Sequence, residues 1–196
     1  MRLVQVISDY IRRSILTTQG DLVVRGAALP ERLAAGAAGT YLMGQGVGVI
    51  PAYVAPSAIP ACRMTLSANQ SIPSGLWTKI LLNGTDFDIT SNFDSGSNRW
   101  VCAKTGIYYV SVSVGMADLT VGARMGGAAY LNGNISSPMV TLGVGGAGNQ
   151  YLTSSDCLSL AVNDYIDLRG FQTCGVNKNV RGGLSFCTWL TLHYLS

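Results

Sequence analysis

The chain has 196 residues, which is room for one domain of ordinary size plus an extension, or for two small domains. Hydrophobic residues make up 48% and charged residues only 12%, about half the roughly 25% of a typical soluble domain, so a wholly unstructured chain is excluded. The 24 glycines exclude a long coiled coil, and a net charge of +3 scattered without long runs is too weak for a nucleic-acid groove.

In chain order, residues 2–16 place Leu3, Ile7, Tyr10, Ile11 and Ile15 near helical spacing, with Arg2, Asp9, Arg12 and Arg13 largely elsewhere on the wheel. A helix this short is marginal alone and needs a partner surface. It either packs on its own domain, or serves as a docking peg or one strand of a three-chain bundle. Asp9, Arg12 and Arg13 also interrupt any apolar core of a secretory signal, so a cytoplasmically made protein is the expectation. Residues 17–60 alternate short apolar pieces, such as Leu22-Val23-Val24 and Tyr41-Leu42-Met43, with glycine turns. No charge lies between Arg32 and Arg63, but repeated Gly and Pro make a membrane span a poor reading. This pattern suits an extended segment that packs against sister chains or a host particle. Residues 1–60 are therefore expected to be an anchor and neck, with Leu3, Ile7, Ile11, Leu22, Val23 and Val24 as its contacts.

From about Ala61 the pattern becomes β-like. Tyr108, Val110, Val112 and Val114 alternate with Tyr109, Ser111 and Ser113, the period of a half-buried strand. Leu158, Leu160 and Val162 precede a turn at Asn163-Asp164, Ile166 and Leu168 follow it, and Leu190, Leu192 and Tyr194 close the chain. Asn132-Gly133 is a hairpin signal. Many short strands joined by Gly and Asn turns predict an all-β jelly-roll sandwich over 61–196. Of the five cysteines, Cys62, Cys102, Cys157, Cys174 and Cys187, no two are close enough for a CxxC pair. Reduced thiols are expected, with Cys102 and Cys187 buried on strands.

Leu66 to Gly75, then Trp77-Thr78-Lys79-Ile80, Asp86-Phe87-Asp88, Asn92-Phe93-Asp94, Arg99-Trp100 and Thr105 to Val110 together resemble the globular head of the complement-recognition subunit. That head shares its fold with the tumour-necrosis-factor family. Leu158 to Leu168, Ser185-Phe186 and Trp189-Leu190 resemble the family's later strands, so the resemblance covers roughly 61–196. It implies a homotrimeric jelly-roll head with Trp77, Phe87, Phe93, Trp100, Gly106 and Tyr108 as its core signature. A trimer would also account for the missing charge. Gly106 is expected in a tight turn. Separately, Thr17 to Gly26, Pro30 to Leu33 and Gly36 to Gly39 resemble a stretch common in bacteriophage fibre and virion-surface proteins.

Chemistry is sparse. His193, the sole histidine, falls opposite Leu192 and Tyr194 in the last strand, where an outward-facing or interface role is expected rather than catalysis. Asp88 and Asp94 read as turn-formers rather than cation ligands. Gly143 to Gly148 lacks the lysine of a phosphate loop. No enzyme activity, metal or cofactor is expected. Tyr130, Asn149, Tyr151, Phe171, Asn177, Lys178 and Arg181 lie in presumed loops and are the candidate contacts to a host glycan or protein.

The expectation is a structural protein of a phage virion surface, either a trimeric head fibre or a capsid decoration spike. Its residues 1–60 would dock on other virion proteins and its head would face outward. A tail fibre or receptor-binding tip is the alternative.

Overall fold

The computed structural model describes residues 15–144 and 147–196, with the backbone alone over 136–144. The expected helix and the anchor contacts Leu3, Ile7 and Ile11 lie outside the described residues. The chain divides into two units between Ser57 and Ala58.

The first unit contains two antiparallel hairpins. Strand β1 (Leu22–Arg25) pairs with β2 (Pro30–Leu33), and β3 (Tyr41–Met43) with β4 (Ala52–Val54). Asp21 ties the first hairpin together by accepting from the backbone amides of Thr17, Thr18 and Ala35 at 2.8–3.0 Å. Arg32 lies 3.5 Å from the same carboxylate. Leu22, Val23, Tyr41, Leu42 and Met43 are all exposed and Val24 is half-buried, so these hairpins enclose no core. Two-stranded hairpins without a covered face are marginal in water.

The second unit is a two-sheet sandwich. Its strands are β5 (Ala61–Thr65), β6 (Gln70–Ile72), β7 (Thr78–Lys79), β8 (Gly84–Asp88), β9 (Phe93–Asp94), β10 (Arg99–Val101), β11 (Gly106–Leu119) and β12 (Arg124–Leu131). They continue with β13 (Asn134–Val144), β14 (Gly148–Leu160), β15 (Tyr165–Gln172), β16 (Lys178–Val180) and β17 (Trp189–Tyr194). The first sheet runs β6-β16-β11-β17-β5-β8, with β14 along the other side of β11. The second runs β13-β12-β15-β10-β9, with β7 also on β15. Among the described residues there is no α-helix, and no helix long and apolar enough to cross a membrane.

Alternation decides what is buried. Tyr108, Val110, Val112 and Val114 from β11, Leu158 and Leu160 from β14, and Leu190 and Leu192 from β17 face Met125, Ala129, Ile166 and Leu168 of the second sheet. Trp100 and Tyr108 meet edge-on at 5.2 Å, and Tyr194 packs on Tyr108 at 5.3 Å. Aromatic pairs of this kind give a sandwich of short strands much of its apolar burial. Phe93 packs partly buried against the same cluster.

Two reversals are joined. Asn132 and Gly133 both adopt positive φ (51° and 78°) in the β12–β13 hairpin, the geometry that an Asn-Gly pair favours. The Asn132 side chain donates to Asp164 (2.7 Å) and accepts from the Tyr165 amide (2.9 Å), while Asp164 also accepts from the Ala161 amide (2.7 Å). The turn after β14 is thereby bound to the hairpin after β12.

Several expectations need correction. Phe87 is 43% exposed, because it sits on edge strand β8 opposite Arg63, on the outward side of the sheet. Trp77 is half-buried outside the inter-sheet core, stacked on Phe171. Gly106 opens β11 rather than occupying a tight turn; a Cβ there would strike the Ser196 carbonyl and the Tyr194 ring. Val162 is exposed because the alternation stops at Leu160, where the Asp164-capped turn begins. Cys102 and Cys187 are buried as expected, but both lie outside the strands.

Candidate functional site

The two sheets present very different outer faces. On the first, the side chains of β11 that alternate with the core align with neighbours on both sides. Tyr109 stands between Cys157 of β14 and His193 of β17, Ser111 between Ser155 and Thr191, and Ser113 between Thr153 and Trp189. This surface carries charge only at its margins among the described residues, where β5 places Arg63 beside Thr191 with Asp86 next to it, and where Arg181 follows β16. The Arg63 guanidinium stacks on Trp189 at 4.5 Å and its Nε lies 3.0 Å from Asp86, too poorly aligned for a hydrogen bond. The Thr191 hydroxyl oxygen is buried there without a hydrogen-bond partner among the described residues. Tyr109 and Tyr151 remain about two-fifths exposed. The Tyr151 ring lies over Gly115, 2.7 Å from where a Cβ would be, with its hydroxyl 3.8 Å from Cys187 Sγ. Arg181 covers it from 5.5 Å.

The outer face of the second sheet closes on itself. Asp167 of β15 is buried, with Arg169 Nε at 3.0 Å and Lys79 Nζ at 3.6 Å. Arg169 also lies over the Tyr130 ring at 3.9 Å, and Trp77 stacks on Phe171 with ring centres 5.2 Å apart. Burial raises the Tyr130 hydroxyl above its ordinary pKa, against the lowering field of Arg169.

These faces redistribute the candidate contacts. Tyr130 belongs to β12 and is buried, so it is not a loop group. Phe171 is half-buried on β15 beside it, and the two therefore share the second face. Tyr151 and Arg181 come together on the first. Asn149 is the second residue of β14 and is exposed, and Asn177 is exposed just before β16. Lys178 donates to the Asp118 carbonyl at the far end of β11. What sequence reasoning missed is the row Ser111–Ser155–Thr191. Its signal was the polar half of the β11 alternation, whose neighbours only the register supplies.

The acidic residues form turns and ion pairs. Asp88 accepts from the amides of Asn92 (3.1 Å) and Phe93 (2.9 Å), and Asp94 from that of Ser97 (3.1 Å). Hydrogen bonding from Ser97, with Arg99 nearby, holds the Asp94 carboxyl below its usual pKa. Among the described residues no three His, Cys, Asp or Glu side chains converge as a metal site. The Cys62 thiol is pushed up to about 12 by burial and by Asp88, which leaves it inert as a nucleophile. His193 is exposed on the first face.

No family model and no curated protein matches the chain. Solved structures do. An Eiger tumour necrosis factor from S. frugiperda is similar at 10% identity and a TM-score of 0.56, over 70% of this chain and 93% of that one. Murine APRIL is similar at 14% identity and a TM-score of 0.54, over 70% of this chain and all of that one. The head is a tumour-necrosis-factor-type jelly roll in fold. The globular domain of zebrafish complement 1qA agrees at 12% identity and a TM-score of 0.50, over 70% and 98% of the two chains.

Proposed function

We propose that this chain is a structural protein of a bacteriophage virion surface, a homotrimeric head fibre or capsid decoration spike. In this reading three heads meet through the first face, burying the β11, β14 and β17 rows about a threefold axis. The observation that carries it is the face itself: a flat, almost charge-free surface of Ser, Thr and Tyr beside a second face that seals itself. Partly exposed aromatics among small neutral side chains, with charge depleted, are what an interface centre needs. The hairpins of residues 22–54 support the same arrangement, since their apolar side chains lack a core of their own. The phage setting rests on the likeness of residues 17–39 to fibre and virion-surface sequences.

Sedimentation of the full chain tests the assembly: three times the 20.6 kDa chain mass is expected, and a stable monomer at micromolar concentration would sink the proposal. Immunogold labelling of intact particles tests the location, with signal on the capsid expected. Signal on the tail would favour a receptor-binding tip, for which Tyr151 and Arg181, stacked on an outer surface, are the supporting observation. Loss of phage adsorption on substituting them would establish that second reading.

A further inference from the structure

The head has two ends. At one, β5 enters and the final residues run back alongside Gly106 and Ile107, where the Ile107 amide donates to the Ser196 carbonyl. At the other, among the described residues, lie the loops 73–77, 118–123 and 173–177. Each carries one large aliphatic side chain into solvent: Leu76 is 61% exposed, Val121 73% and Val176 60%. Nothing about these loops is slack. The Gly75 amide donates to the Gln172 carbonyl (2.7 Å) and the Gly175 amide to Ser74 Oγ (2.9 Å). Thr173 and Arg124 exchange bonds at 2.8 and 3.0 Å. Buried Gln172 donates to the Val176 carbonyl (2.9 Å) and accepts from the Cys174 amide (2.6 Å). Folding back to hide the three side chains would break these bonds, so their exposure is built in.

We propose that this end of the head inserts Leu76, Val121 and Val176 into the surface of an anionic lipid bilayer. Three choices in the sequence favour that occupant. The side chains are aliphatic and project from separate loops, so they do not line a groove that would take a peptide. The one aromatic of these loops, Trp77, is half-buried and already stacked on Phe171, with Tyr130 on its other side, rather than presented as a platform for a sugar ring. Cations flank them: Arg124 is exposed without an ion-pair partner among the described residues, and Lys178 reaches only a backbone carbonyl. Asp118 is the one carboxylate in these loops. Aliphatic tips with a basic rim bind a membrane by combining apolar burial with attraction to anionic headgroups.

The test is flotation of the full-length protein with vesicles of phosphatidylglycerol or of phosphatidylcholine. The wild type is expected to float with phosphatidylglycerol vesicles and to lose that binding as salt rises. Leu76→Asp, Val121→Asp and Val176→Asp should each weaken it by about tenfold, the scale set by one buried aliphatic side chain. Arg124→Glu should weaken it while leaving the thermal melt unchanged, and Val121→Leu should preserve it. Four results would overturn the proposal: no flotation, equal binding to neutral vesicles, undiminished binding by the aspartate variants, or aspartates that change only the protein's own sedimentation. The last would make the tip a contact between copies. Because vesicle binding is read separately from oligomeric mass, it can fail while the trimer stands.

Discussion

The two outer faces of the head are built from the same strand alternation yet solve opposite problems. The second face takes charges and aromatics and finishes them internally: Asp167 is ringed by Lys79 and Arg169, and Trp77 by Phe171. The first face takes serines, threonines and tyrosines: Ser111 and Ser113 donate to backbone carbonyls, while Tyr109 and Ser155 stay exposed and the Thr191 hydroxyl has no partner among the described residues. A charge-poor chain therefore did not dilute its charges evenly; on one surface it kept them to the margins. The lesson is that a surface's readiness for a partner shows less in its hydrophobicity than in how little charge a contact there would have to desolvate.

Breaking the closed face should have the largest effect. Asp167→Ala leaves two cations facing each other without their shared carboxylate and is expected to cost about 3–5 kcal/mol in urea unfolding. Arg169→Ala keeps the Lys79 pair and should cost less, about 1–3 kcal/mol. If both were neutral, the second face would be no more committed than the first. On the open face, Ser155→Arg should change the unfolding free energy of the head by no more than about 0.5 kcal/mol, as for ordinary surface positions. It should nonetheless abolish assembly in sedimentation, since the new guanidinium would be brought to the proposed axis. Thr191→Val sharpens the contrast most gently. Removing a buried hydroxyl that lacks a partner should be neutral or slightly stabilising, within about 1 kcal/mol.

A pH experiment probes the turns that lie outside both faces. The Asn132 side chain first, then the Ala161 amide, hold the Asp164 carboxyl below its usual pKa. A depressed folded-state pKa means that the contribution is fully present above the unfolded value, about 3.9, and is lost as pH falls through the folded one. Acid titration of the wild type should show this loss, and Asp164→Asn should flatten it. A variant with the same acid profile would remove Asp164 from the account.

Much of the head was legible from local pattern. The run from Tyr108 to Val114 gave its buried side through alternation alone, and Asn132-Gly133 gave its turn, because both signals live within a few residues. Phe87 and Trp77 were misplaced for the opposite reason. A large aromatic in a β-rich sequence reads as core, but which side it faces depends on pairing with Arg63 or stacking on Phe171, partners far away in the chain. Gly106 shows the same limit: its need for glycine comes from Ser196 and Tyr194, not from its own neighbours. The candidate contacts scattered because the uncharged run around Tyr130 and Tyr151 looked like loop, whereas β12 and β14 pair as long strands.

The bond from Asn132 to Asp164 makes one clasp of two chain reversals. Neither bend can fray without releasing the other, so the amides of Asn132 and Tyr165, each hydrogen-bonded across that junction, should exchange with deuterium at a common rate. Four strands, β12 to β15, would then open as a single cooperative block rather than as one hairpin and a separate crossover between the sheets.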